Sequence, residues 1–216
     1  MSLFNLKNKK AKIFCVGLNK TGTTSVEKSL QDFGYKMGNQ IEGELLMESY
    51  VKRDFNKIIN FCKTADAFQD VPFCFQHTYM ALEQAFPKAK FILTVRDSDE
   101  QWYQSLVRFH TKLFGEGKRT PTWEDLKKAT YRYPGYVAEV RKQVFGIMEN
   151  EPPYQEEKLK AYYTTHNASV LDYFKNKENL LVLNVSEVDA YSRLCTFLGK
   201  KPLYETFPWE NKTSAL

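Results

Sequence analysis

One junction near the start of the chain constrains the fold most. Residues 12–17, KIFCVG, are a short apolar run that ends in glycine, the pattern of a buried strand. NKTGTTS follows. In the next segment, SVEKSLQDFG, Val26, Leu30 and Phe33 recur at helical spacing before Gly34, and a glycine just past the last periodic residue is a helix stop. The spacing predicts strand, glycine-containing loop, helix. Such a junction gathers backbone N–H groups and the positive end of a helix at one spot, which suits an anion.

Gly17 and Gly22 stand in the G-x-x-x-x-G spacing of a phosphate loop. An ATP-type loop needs lysine directly after the second glycine, followed by Ser or Thr. Here Thr23 holds that place, and the loop lysine is Lys20, inside the bend. No strand end offers a convincing acid for Mg²⁺. The loop therefore speaks for phosphate and against ordinary ATP chemistry. The plain alternative is a glycine turn whose helix is capped by Thr23, Thr24 or Ser25.

Further along, ADAFQD (65–70) has the form of a short strand ending at an acid. KFILTV (90–95) is the clearest central strand, and NLLVLNV (179–185) the last. Helical periodicity covers 41–62, 74–86, 99–114, 136–149, 154–175 and 187–198. GEGKRTPT (115–122) is a loop, and 200–216 has no period. Alternating strands and helices predict an α/β fold: three-layer and P-loop-like, with a mostly parallel central sheet flanked by helices. Ligands of such folds sit beyond the carboxyl ends of the strands. At 216 residues the expectation is a single domain, 1–216, with a helical cap at about 115–160.

With 43% hydrophobic and 26% charged residues, the chain is not disordered, collagen-like or a coiled coil. A net charge of +5 suits an anionic ligand and does not demand nucleic acid. Cys15, Cys62, Cys74 and Cys195 show no C-x-x-C spacing, and three histidines are few for a metal site, so no metal is expected. Cys15 and Cys195 lie in apolar patterns as core thiols, which points to a reducing compartment. No run of 18 apolar residues exists to span a membrane. The start, MSLFNLKNKKAK, lacks the apolar segment of a signal peptide, so a cytoplasmic protein is expected. The lysines at 7, 9, 10 and 12 fit a solvated segment.

GLNKTGTTS (17–25) resembles the 5′-phosphosulfate loop of sulfotransferases. FILTVRDSDEQWYQSL (91–106) resembles the strand-loop-helix with which that family binds the 3′-phosphate of 3′-phosphoadenosine 5′-phosphosulfate (PAPS). Arg96 matches its strand-end arginine and Ser105 its helix serine, nine positions on where many members show eight. PKAKFILTVRD, WYQS, NLLVLNVSE with LCTFLG, and FPWEN are similar to the short, unfused bacterial-type branch. Two features depart from the family. Val188, Asp189, Ala190 and Tyr191 stand where a tryptophan often precedes LC, and the K-G-x-x-G motif of the hormone-type branch is absent.

The resemblance implies transfer of a sulfuryl group from PAPS to a hydroxyl or amine of a small-molecule, glycan or lipid acceptor, leaving the bisphosphate PAP. It implies no metal and no nucleic-acid partner. Lys20 would stabilise the leaving phosphate oxygen. Thr21, Gly22, Thr23, Thr24 and Ser25 would hold the 5′-phosphate, and Arg96 with Ser105 the 3′-phosphate. For Arg96 the bland alternative is an ion pair with Asp97 or Asp99. The family places a histidine or carboxylate after a short strand and shortly before a proline; in FQDVPF (68–73) that residue is Asp70. An aspartate there needs a raised pKa to work as a base near neutrality. His77 titrates near neutrality unaided. Glu42 and Glu44 lie where glycan sulfotransferases place a glutamate. His110 and His166 fit packing or surface positions. Tyr131, Tyr133, Tyr136, Tyr154, Tyr162 and Tyr163 either line an acceptor cleft or pack the cap. A small-molecule kinase with a divergent loop and a non-catalytic sulfonucleotide-binding protein are the other two functions the pattern allows.

Overall fold

The computed structural model describes residues 10–208. Lys7, Lys9 and the last three residues of FPWEN lie outside the described residues. The sheet has four strands, β1 (Ile13–Cys15), β2 (Ala67–Phe68), β3 (Lys90–Thr94) and β4 (Leu180–Leu183). Every pairing is parallel, in the order β2-β1-β3-β4. Ten helices accompany them among the described residues: α1 (Thr23–Asp32), α2 (Gln40–Glu44), α3 (Met47–Val51), α4 (Phe55–Phe61), α5 (Thr78–Ala85), α6 (Asp99–Phe114), α7 (Trp123–Lys128), α8 (Tyr136–Gln143), α9 (Glu156–Phe174) and α10 (Ala190–Leu198).

Strand alternation creates two cores and hence three layers. Side chains of successive strand residues point to opposite faces. Phe14, Phe68, Phe91 and Leu93 enter one cluster, with Tyr79 of α5, Trp102 of α6 and Phe174 of α9. Ile13, Ala67, Ile92 and Leu183 enter the other, with Val26 and Leu30 of α1 and Leu194 of α10. A parallel sheet covered on both faces reads as continuous apolar runs, as these strands do.

Three expected helices differ in extent. The stretch 41–62 breaks into α2, α3 and α4, and Arg53 in the last break has φ 58. The stretch 74–86 is helical only over α5. The buried run Val71–Phe75 is a turn instead, and His77, at φ 67, must come before the helix can start. The stretch 136–149 ends with α8 at Gln143. α1 stops at Gly34 as expected: Tyr35 N–H bonds the Leu30 carbonyl (3.0 Å) and Gly34 N–H the Gln31 carbonyl (2.8 Å), a Schellman closure at φ 76.

β1 leads toward β2 on one side, and β3 toward β4 on the other. The connections therefore diverge beyond the carboxyl ends of β1 and β3, where open α/β sheets bind ligands. The loop 17–22 leaves one end and Arg96 the other. Their separation is set by Gly17, whose added Cβ would lie 2.1 Å from Thr94 Oγ1 and 2.4 Å from the Thr94 carbonyl oxygen. Backbone cannot yield as a side-chain tip can, so Gly17→Ala is expected to cost about 1–3 kcal/mol, the usual cost of overpacking. The urea midpoint measures it; an unchanged midpoint would show that β1 and β3 are not held this closely.

Candidate active site

The loop after β1 is a concave nest of backbone. Lys20 has φ 70 and Gly22 φ 101, and a left-handed residue beside right-handed ones turns successive N–H groups inward. Gly22 is the N-cap of α1, and no side chain caps the helix. Thr23, Thr24 and Ser25 therefore do not act as the plain cap: Ser25 N–H turns back to the Gly22 carbonyl (3.1 Å), and no side chain takes the N–H groups before it. A Cβ on Gly22 would come within 2.4 Å of Val185 Cγ2, so glycine is needed for space as well as for φ. Thr21 and Thr23 are buried and Thr24 is exposed. The Thr21 hydroxyl is tied to the Leu18 carbonyl and to Thr94 Oγ1 at the end of β3.

The loop carbonyls are taken from behind. Arg96 Nε donates to the Lys20 carbonyl (2.8 Å), and Trp102 Nε1 to the Asn19 carbonyl (3.0 Å). Tyr163 Oη accepts from the Arg96 backbone N–H (2.9 Å), and its ring stacks on Trp102 with centroids 4.9 Å apart. Arg96 does not make the alternative pair with Asp97: that carboxylate accepts from Asn184 (2.5 Å) and Gln101 (2.9 Å). Burial lowers the Arg96 pKa, and the positive charge of Arg108 on α6 adds to it, against the pull of Tyr163 and Asp97. Ser105 is buried on α6, one turn before Arg108. It lies on the face that carries Trp102 and Phe109, both of which touch the loop.

The Lys20 ammonium rests 3.5 Å from the centroid of the Phe109 ring. Burial lowers its pKa, and the charge of Asp70 opposes that. Asp70 follows β2 with φ 58. Gln40 Nε2 donates to Asp70 Oδ2 (2.9 Å), and the Thr23 hydroxyl lies 3.5 Å from Oδ1. The Asp70 carboxyl is pushed up to about 7, first by burial, then by the negative charges of Glu44 and Glu27; Lys20 and Thr23 pull the other way. Lys20 and Asp70, the two central groups, both sit in left-handed backbone. Non-glycine residues reach it at a cost of about 1–2 kcal/mol, and such strain gathers at functional sites.

The other candidate bases fall elsewhere. Glu44 is buried in an ion pair with Arg132 (2.7 Å), and the same Gln40 nitrogen that reaches Asp70 donates to it (2.9 Å). Glu42 is exposed, and its N–H is capped by Asn39 (3.1 Å). His77 is exposed at the start of α5. The helix histidines are packing residues. His166 Nε2 donates to the Val16 carbonyl (2.8 Å), and burial pushes its pKa down to about 4. His110 Nδ1 lies 3.0 Å from Arg141 Nη2 and 2.8 Å from Tyr154 Oη, and burial holds it neutral. Among the described residues no three His, Cys, Asp or Glu side chains form a group that could hold a metal ion, and no helix is long and apolar enough to cross a membrane. All four cysteines are buried and free.

Sequence reasoning did not find Gln40, Thr94, Phe109 or Arg108. Phe109 alone had a signal: it falls at i+4 from Ser105 on the helix that carries it.

A parallel α/β sheet with a glycine loop at its switch point is the architecture of a P-loop-like fold. The family model described as the sulfotransferase domain matches residues 12–216, and the chain belongs to that family. No curated protein matches the chain.

The raised Asp70 pKa has a consequence for stability. An unfolded aspartate titrates near about 3.9. Between there and about 7 the folded chain binds the extra proton, so Asp70 costs stability as pH rises through that window. Asp70→Asn is expected to flatten this slope between pH 5 and 8 and to raise stability at pH 8 by about 1 kcal/mol, after allowance for solvent screening. Urea unfolding at the two pH values checks it; parallel slopes in both proteins would show that Asp70 titrates normally.

Proposed function

We propose that the protein transfers the sulfuryl group of PAPS to an acceptor hydroxyl. The observation that carries this reading is the bond from Arg96 Nε to the Lys20 carbonyl. It joins the two motifs that the family devotes to the two ends of one sulfonucleotide. The cradle fits a phosphate group: no side chain caps the start of α1, and neither Gly17 nor Gly22 has room for a Cβ. Bound PAPS supplies an activated sulfuryl group and leaves as PAP.

The backbone from Thr21 to Ser25, with the threonine and serine hydroxyls, holds the 5′-phosphate through the helix end and charge-assisted bonds. The Arg96 guanidinium, with Ser105, holds the 3′-phosphate. Lys20 offers its ammonium where charge grows on the leaving oxygen, so it stabilises the transition state more than the ground state. Asp70 takes the acceptor proton, and its raised pKa suits a base near neutrality. Burial raises that pKa most, and the charge of Glu44, held by Arg132, raises it further.

Calorimetry with PAP, and with ATP plus Mg²⁺, tests the donor. Binding of PAP alone supports the reading; binding of ATP with Mg²⁺ and not PAP would make the protein a kinase. Sulfate transfer to any acceptor separates the enzyme from a protein that only holds the nucleotide. Lys20→Ala is expected to lower kcat at least about a hundredfold, the worth of one transition-state donor, with a smaller loss of PAP affinity. A variant that turns over normally would remove Lys20 from the chemistry. Arg96→Ala is expected to weaken PAP about tenfold or more beyond its effect on adenosine 5′-phosphosulfate, which has no 3′-phosphate. Equal losses would mean that Arg96 only braces the loop.

A further inference from the structure

His110 packs by one edge of its ring only. Nδ1 lies 3.0 Å from Arg141 Nη2 and 2.8 Å from Tyr154 Oη. A guanidinium only donates, so Nδ1 is the bare, accepting nitrogen and the ring proton sits on Nε2. Nε2–H has no hydrogen-bond partner among the described residues, and unlike Nδ1 of His166 it is not enclosed. The residue is only 8% exposed, and this donor is part of what shows.

Arg141 is a costly way to hold a ring. It is buried on α8 and forms no ion pair among the described residues. Its other neighbours are the rings of Tyr154 and Phe145, 4.5 Å and 5.2 Å from the guanidinium carbon, and its Nε has no hydrogen-bond partner. A buried cation without a counter-ion costs stability that an apolar side chain would not. What Arg141 secures is the tautomer: beside a guanidinium, His110 carries no proton on Nδ1. Burial and the positive charges of Arg141 and Lys20 hold its pKa well below the usual histidine value, so the imidazole is neutral.

His110 also stands beside Lys20. On α6, Trp102, Ser105, Leu106 and His110 form the buried side, and Trp102 holds the Asn19 carbonyl of the phosphate loop. Phe109 carries the Lys20 ammonium 3.5 Å from its ring centroid, and the His110 ring lies 5.9 Å from the same ring. A second cation there would repel Lys20. A neutral donor can converge with the ammonium on one anion.

We propose that His110 is a catalytic residue of the transfer, donating a hydrogen bond from Nε2–H to an oxygen of the sulfuryl group while Arg141 and Tyr154 fix its tautomer. This rests on the sulfotransferase reading above. No proton leaves the imidazole. The acceptor O–H bond breaks and Asp70 receives the proton. The acceptor oxygen bonds to sulfur, the bond from sulfur to the phosphate oxygen breaks, and that oxygen keeps the electron pair beside Lys20. His110 stabilises charge on the sulfuryl oxygens without adding charge of its own.

Nitrogen NMR of the histidine-labelled protein tests the proposal without an acceptor. At pH 7 His110 is expected to show a protonated Nε2 and a bare Nδ1. Its Nε2–H resonance is expected to move with PAPS and not with PAP, which lacks the sulfuryl group. His110→Phe keeps a ring and loses the donor; it is expected to slow PAPS turnover to PAP about ten- to a hundredfold while PAP affinity holds. His110→Gln, whose amide nitrogen reaches the place of Nε2, is expected to recover part of that loss. The proposal is overturned if Nδ1 carries the proton, or if PAPS leaves the resonance where PAP does. It is also overturned if His110→Phe, binding PAP normally, turns over at the wild-type rate, or if His110→Gln is no faster than His110→Phe. Failure of both nucleotides to bind the wild-type protein would instead remove the donor reading, and this proposal with it.

Discussion

The site depends on one hydrogen bond, from Arg96 Nε to the carbonyl of Lys20. A loop that turns its N–H groups toward an anion turns carbonyls the other way, and buried carbonyls need donors. Arg96 and Trp102 supply two of these, and both come from the segment that follows β3. Tyr163 of α9 then fixes that segment by accepting the Arg96 N–H and stacking on Trp102. The left-handed backbone at Lys20 is thus held by β3, α6 and α9 together, which is how its strain can persist. The fork of arginine suits this place: Nε goes to the loop while the terminal nitrogens stay free of it. Lysine, with a single ammonium, would have no nitrogen left over.

On the opposite side of the loop, an acid is kept weak without being neutralised. Asp70 lies near two other carboxylates, yet only Glu44 has its own guanidinium. Arg132 balances the deeper charge, and Gln40 spans the two carboxylates at 2.9 Å each. A neutral amide at that position satisfies both oxygens and leaves the repulsion in place. A lysine or arginine there would pull Asp70 toward the ordinary carboxylate range and spend its basicity.

β1 and β3 were legible because they are buried on both faces, so each reads as an apolar run. α6 was legible to the residue from its helical spacing, and in the structure Ser98 caps it, accepting from Gln101 N–H at 3.1 Å. α7 was overlooked although its signal is present: Thr122 and Asp125 form a capping box in TPTWEDL. The stretch 74–86 misled because buried apolar residues fill a turn as readily as a helix face when the chain crosses the core. At the site, Lys20, Asp70 and Arg96 each sit at a strand end or in a glycine loop, where motif spacing has meaning. Gln40 reaches Asp70 across 30 positions and Tyr163 reaches Arg96 across 67. Only the folded topology makes those pairs, and no local pattern announces them.

Phe109 explains how an ammonium and a carboxylate can share this centre and both remain usable. Lys20 and Asp70 attract each other strongly enough to shift each other's pKa. A direct ion pair would fix the two charges on one another and take both from the reaction. The face of Phe109 gives the ammonium a partner that is attractive but accepts no proton and carries no charge. The attraction of a ring is weaker than that of a phosphate oxygen, so the ammonium can leave it when an anion enters the nest. The same ring keeps a third of its surface in solvent, at 37% exposure. One side chain thereby holds the cation without neutralising it and still leaves apolar surface exposed.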